Sequence, residues 1–221
     1  MSKKKSIVTS LFFNLVLVIL EIVGLVLSVQ RHGINVFIFY TENSNYFALL
    51  VSLIFCVGAI IAIKKKSELP NWINILRFVA TVCLSITFIV SFFVIIPFKP
   101  SMWRYMLYKG SSLYQHLLCP ILSIISFLFF EYKRELSKSA IFYALIPTLI
   151  YGIICVILNL TKVIVGPYPF FYFYQIPWYL STLSIFGVVF ISLTVAYIIF
   201  SFPRIREKHE RKKLNKKQKN V

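Results

Sequence analysis

Hydroxyl, imidazole, thiol and carboxyl groups recur in this 221-residue chain at places where its surroundings are otherwise apolar. Thr41 stands in the string Tyr40-Thr41-Glu42-Asn43-Ser44-Asn45, His116 follows Tyr114-Gln115, Cys119 comes three residues after His116, and Glu21 interrupts a run of Leu, Ile and Val. A Thr hydroxyl is a weak nucleophile that needs an adjacent base. A positioned His supplies typically ~10²–10⁴-fold as general acid–base. Cys119 shares a helical face with His116, so a Cys–His pair on one helix is a rival arrangement, although a cramped one. Glu21 in a membrane span would cost roughly 2.5–3.5 kcal/mol or more if it met lipid, so it is expected to face protein. Asn14, seven residues earlier, falls on the same face.

The elements that must position these groups are apolar and long. Hydrophobic residues make up 59% of the chain and charged residues 14%, against about 25% charged in a soluble domain. Six runs stand out, at Ile7–Val29, Asn45–Ile63, Trp72–Ile96, Ser112–Phe130, Ser139–Leu160 and Trp178–Phe200. A helix needs about 20 apolar residues to cross a ~30 Å hydrocarbon core, and backbone groups cannot go unpaired in lipid. Period-two alternation is absent, which argues against a barrel. The first run follows Lys3-Lys4-Lys5 but is too long for a signal-peptide core and has no small-residue cleavage site after it. The expected fold is therefore an all-α integral membrane bundle of six spans: one domain over residues 1–203, then a basic tail over 204–221.

Charge placement orients that bundle. Lys3–Lys5, Lys64–Lys66, the fourth loop (Lys133, Arg134, Lys138) and a tail with nine Lys and Arg lie on one side. Only Arg31, Lys99, Arg104, Lys109 and Lys162 lie on the other. Positive loops stay inside, so both termini are expected in the cytoplasm. The same rule accounts for the net charge of +17. A tail lying against anionic headgroups is favoured over a nucleic-acid patch, and no nucleic-acid partner is expected. With this orientation Glu21, Thr41, His116 and Asn159 collect in the outer half, while Arg77 and Glu131 lie near inner helix ends, where they can snorkel or pair. Alternatives stay open for each: Thr41 or Ser44 capping the second helix, His116 among headgroups, and Glu21 as interhelical glue. The fifth loop, Thr161–Pro177, is rich in Pro and aromatics, and is either a lid over an outer pocket or an interfacial belt.

Several functions are disfavoured. The chain has no Asp, which removes aspartyl intramembrane proteases and Asp-based two-metal phosphoryl chemistry. HExxH, GxSxG and Walker motifs are absent. His116 is the only His within a span, so haem held by two intramembrane His is not expected. Cys56, Cys83, Cys119 and Cys155 fall one to a span with no CxxC pair, as buried thiols do. No inverted repeat suggests a transporter.

The strings Tyr40 to Asn45, Tyr114-Gln115-His116 with Pro120 and Phe130-Glu131, and Gly166-Pro167-Tyr168-Pro169-Phe170 occur in that order. In them the chain resembles the androgen-induced-gene family of multipass membrane threonine hydrolases, in its bacterial branch, from Ile7 to Phe202. The resemblance implies cleavage of fatty-acid esters of hydroxy fatty acids, with Thr41 as nucleophile and His116 as base. The chain departs from the family where an acidic residue often follows the Tyr-Pro-Phe string, because Phe171-Tyr172-Phe173 stands there. An acid orienting His116 would then be Glu21 or Glu42, with Asn45 and Asn159 as supporting polar groups. Lipid-ester hydrolysis in an outer-leaflet pocket of a bacterial plasma membrane is thus the expected function, on a membrane-lipid-like substrate and with no metal or cofactor. A non-enzymatic protein that binds or passes a lipid or small molecule is the alternative.

Overall fold

The computed structural model describes residues 3–98, 100–108, 110–131, 136–168 and 171–219. Ser2, Lys99, Lys109, Lys133, Arg134, Pro169, Phe170 and Val221, on which parts of the topology and loop readings rest, lie outside the described residues. Six helices are long and apolar enough to cross a membrane: Ser6–Ile38, Tyr40–Lys65, Asn71–Ile95, Leu113–Glu131, Ala140–Leu160 and Trp178–Arg206. No strand occurs among the described residues. The chain is an all-α bundle of six membrane-length helices, as its composition demands.

The first helix shows how such a sequence packs. Ser10, Asn14, Leu17, Glu21, Gly24 and Ser28 are buried, and Val8, Phe12, Leu15, Ile19, Ile22, Val26 and Val29 are exposed. Both sets repeat every three or four residues, so they occupy opposite faces. Polarity is inverted relative to a soluble protein: apolar side chains point out to where lipid would lie, and polar ones point into the bundle. The first four spans pack together, the first against the second and fourth and the third against the second and fourth. The third span is central, with 67% of its apolar window buried against 22–39% for the others. The fifth and sixth spans flank it, with Phe78 of the third span 6.3 Å from the Phe200 ring of the sixth.

Three helices extend well beyond their apolar runs, the first of them past Val29 to Ile38. The second helix begins at Tyr40 rather than Asn45. The Asn43 side chain donates to the carbonyls of Phe37 and Phe39, closing the preceding 3-10 turn Gly33–Ile38. Glu42 and Asn45 find partners inside the bundle, so helix can start where hydropathy alone would not start it. The sixth helix does not stop at Phe200 but runs through Pro203 to Lys219.

Prolines shape the other spans. Pro97 and Pro120 have no N–H for the carbonyls of Phe93 and His116, four residues back, and helix there must widen or break. Each follows a π-helical stretch, Val90–Ile95 and Leu113–Leu118 respectively. Pro147 likewise follows the break between Ala140–Tyr143 and Ile146–Leu160.

Candidate functional site

The ends of the first, second and fourth spans that lie away from the termini meet around Glu42, in the first turn of the second helix. Its carboxylate accepts a hydrogen bond from Ser28 Oγ at 2.8 Å and another from Gln115 Nε2 at 2.5 Å. Gln115 reaches it because Gly24 leaves room: a Cβ at that glycine would lie 2.9 Å from Gln115 Cγ. Asn45 ties the cluster together, its amide donating to the Thr41 carbonyl at 2.6 Å and the Gln115 carbonyl at 3.2 Å. Gln115 and His116 sit on the π-helical turn set by Pro120, and such turns often mark functional sites.

Thr41 does not cap its helix. The N-cap is Phe39, with no side-chain cap, and Ser44 Oγ donates back to the Thr41 carbonyl at 2.9 Å while pairing with Thr87 Oγ1 at 2.6 Å. The Thr41 amide instead donates to the Tyr168 hydroxyl at 3.4 Å, which also interacts with the Thr41 side chain. Burial pushes the Tyr168 phenol up to about 12, so it keeps its proton at neutral pH.

Tyr168 belongs to the fifth loop, which folds back over the ends of the second and fifth spans remote from the termini. Asn159 holds the loop by donating to the carbonyls of Ile164 and Val165 at 3.2 and 2.6 Å. Gly166 has φ +115°, and a Cβ there would sit 3.0 Å from both Phe171 Cβ and its carbonyl oxygen, so glycine is required. Asn159 is therefore a loop anchor. The loop is a cover, with Phe171 6.4 Å from the Tyr151 ring and Tyr168 6.4 Å from the Phe39 ring.

Beneath that cover lies an apolar groove of about 250 Å³. Its walls come from the second, third, fifth and sixth spans and include Tyr40, Ile86, Val156, Val188 and the rings of Tyr168 and Phe171. Tyr40 and Thr148 pair their hydroxyls across its edge at 3.0 Å. Tyr168 thus touches the groove with its ring and Thr41 with its hydroxyl.

His116 is 8% exposed, and its Nδ1 has no hydrogen-bond partner. No hydrogen bond joins it to Thr41 or to Glu42. Neither carboxylate therefore orients it. Glu42 is committed to Ser28 and Gln115, and Glu21 has no hydrogen-bond partner on either oxygen. Glu21 is 1% exposed, so it faces protein as its cost in lipid requires. The Cys119 thiol lies alongside it, close enough to interact but without a hydrogen bond of ordinary geometry. Cys119 is fully buried there, so the rival nucleophile is set beside an acid and makes no bond to His116.

Toward the end of the bundle that carries the N-terminus, Arg77 neither snorkels nor stays free. It is fully buried and grips Glu131 with Nε at 2.8 Å and Nη2 at 3.1 Å. Asn14 Nδ2 at 2.7 Å and the Ser126 hydroxyl donate to the same carboxylate. Among the described residues no three His, Cys, Asp or Glu side chains group as metal ligands.

Tyr168, Gln115, Ser28 and Gly24 were not singled out from sequence as site residues. The heptad spacing of Asn14, Glu21 and Ser28 was the available signal for Ser28, and an amide within an apolar span was the signal for Gln115. Tyr168 stood in the Gly166-Pro167-Tyr168-Pro169-Phe170 string, but that string gave it no role, because the role depends on how a loop folds back. No protein-family model matches the chain, and neither a curated protein nor a solved structure does.

Proposed function

We propose that this chain is a lipid-ester hydrolase of the bacterial plasma membrane, with Thr41 as nucleophile and His116 as base. The observation that supports it most is the position of Thr41, bonded to a tyrosine whose ring walls an apolar groove. Drug-sized pockets run to about 300–1,000 Å³, so a groove of about 250 Å³ suits a length of one acyl chain rather than a whole lipid. An acyl chain entering it brings the ester toward the polar cluster at the outer ends of the spans.

In the reaction, Thr41 Oγ bonds to the ester carbonyl carbon while His116 takes the hydroxyl proton. The carbon–oxygen bond to the alcohol then breaks, and His116 returns the proton to the departing alkoxide. Water cleaves the acyl-threonine by the same route, releasing the fatty acid and restoring Thr41. The protonated Tyr168 phenol suits a donor to the oxyanion, a contribution often worth ~2.7–4 kcal/mol. The Nδ1 of His116, without a partner at rest, suits proton uptake once substrate or one water bridges it to Thr41.

One observation favours a second reading. Thr41 and His116 share no hydrogen bond, as they need not in a protein that holds an acyl chain without cleaving it. Turnover of a long-chain ester by the purified protein in lipid separates the two. The hydrolase reading expects turnover that is lost in Thr41→Ala and His116→Ala and partly kept in Thr41→Ser. Acyl-chain binding with no turnover supports the second, and full activity in both alanine variants overturns Thr41 and His116 as the catalytic pair.

A further inference from the structure

The hydrolase reading leaves the inner half of the polar interior unused. Ser10, Asn14, Glu21 and Ser28 are all buried on one face of the first helix and span about 27 Å at ~1.5 Å per residue, close to the ~30 Å thickness of a hydrocarbon core. Two acids meet this stripe. Ser28 donates to Glu42 at 2.8 Å, and Asn14 donates to Glu131 at 2.7 Å. Glu21 stands between, and the groups acting on it are Cys119 of the fourth span, Glu42 of the second and Arg77 of the third.

Glu21 has no structural task that explains it. Both of its oxygens lack a hydrogen-bond partner at 1% exposure, and the nearby cation, Arg77, holds Glu131. An apolar side chain would fill the position without the penalty of a buried, unbonded carboxyl group. Acceptors also outnumber donors around it, because Asn14 Oδ1, Asn45 Oδ1 and Gln115 Oε1 are buried and unpartnered as well. Exchangeable protons and a short file of water are what such a set can take up.

We propose that the polar face of the first helix is a transmembrane proton relay, with Glu21 as the required central site between Glu42 and Glu131. A proton leaving a carboxylic O–H at Glu42 forms a new O–H at Glu21, by way of water, and Glu21 then passes it to water on the inner side, past a Glu131 that Arg77 holds as a carboxylate. Leu17, 1% exposed on the same face between Glu21 and Asn14, closes the direct inner path. The inner transfer runs past it by the Thr81 and Ser123 hydroxyls, 3.0 Å apart, of which Ser123 also accepts from Arg77. Only a proton moves, and a counter-ion crossing the membrane balances its charge.

Purified full-length protein in liposomes, with a pH-sensitive dye inside and potassium plus valinomycin clamping the potential, tests the relay. After an external acid step, internal acidification faster than in protein-free vesicles is expected. Glu21→Gln should reduce it to the protein-free rate, and the exposed Glu68→Gln should leave it unchanged. Gln115→Leu, which keeps the Glu21 carboxyl but removes the outer amide, should slow it and so provides a test even if Glu21→Gln does not fold. A rate equal to protein-free vesicles, unchanged flux in folded Glu21→Gln or in Gln115→Leu, or a flux carried by sodium instead of protons overturns the proposal.

Discussion

Glu131→Gln is expected to be among the most destabilising near-isosteric changes in the molecule. Glu131 receives four donors, namely Arg77 Nε and Nη2, Asn14 Nδ2 and Ser126 Oγ. Glutamine keeps the volume but removes the charge and places an NH₂ where one of the two acceptor oxygens stood. Arg77 is 0% exposed and cannot reach water without moving its helix, so a buried guanidinium is left uncompensated. Breaking a buried pair from one side costs about 3–5 kcal/mol, or about two to four decades in the folding equilibrium. Removing both charges in Arg77→Met/Glu131→Leu deletes the cation along with the anion. The remaining cost is that of the orphaned Asn14 and Ser126 donors, about 1–3 kcal/mol each, offset by the ~1–4 kcal/mol that apolar replacement of a buried pair can return. The double variant should therefore be more stable than Glu131→Gln. Reversible unfolding in mixed micelles, read by tryptophan fluorescence, measures all three proteins. A Glu131→Gln protein within about 1 kcal/mol of wild type, or a double variant less stable than the single, would refute the claim that this ion pair is a desolvated, mutually dependent unit.

Gly24→Leu should force Gln115 away from Glu42, since even a Cβ would lie 2.9 Å from Gln115 Cγ; overpacking of this kind costs about 1–3 kcal/mol, readable as a lowered melting temperature. Gly166→Ala should loosen the fifth loop through its φ of +115° and the Phe171 clash, and limited proteolysis between Leu160 and Trp178 should accelerate. Gly152→Trp places bulk at the groove wall, where a Cβ meets nothing within 4 Å; it should leave melting near wild type, cut turnover of long-chain esters and spare short-chain ones. A cysteine added after Val221 should resist membrane-impermeant thiol reagents in intact cells, and labelling there would reverse the expected orientation.

Span number and class were legible because lipid imposes one arithmetic on every segment: helical, about 20 residues long, and apolar on the outside. The inward face of Glu21 was legible for the same reason, since a carboxyl in lipid is too costly to leave outside. The apolar run begins only at Asn45, but the polar string opening at Thr41 already pointed to the earlier start; Glu42 and Asn45 are admitted to that span by partners on other helices. The pairing of Arg77 with Glu131 was one of two outcomes that position allowed, and the bundle chose it by bringing the third and fourth spans together. The partner of Thr41 was illegible. Tyr168 lies 127 residues away in sequence, on a loop whose path depends on Gly166 and on the side chain of Asn159. A motif places a hydroxyl and an imidazole at similar depth, but not which way each turns on its helix.

Mapping the adduct of a fluorophosphonate probe on the purified protein in lipid tests the hydrolase account most directly. The account predicts one modified peptide carrying the probe on Thr41, formed in wild type, absent in Thr41→Ala and His116→Ala, and suppressed by a competing long-chain ester. A probe adduct on Cys119, or no adduct in a folded protein that still binds the ester, contradicts it.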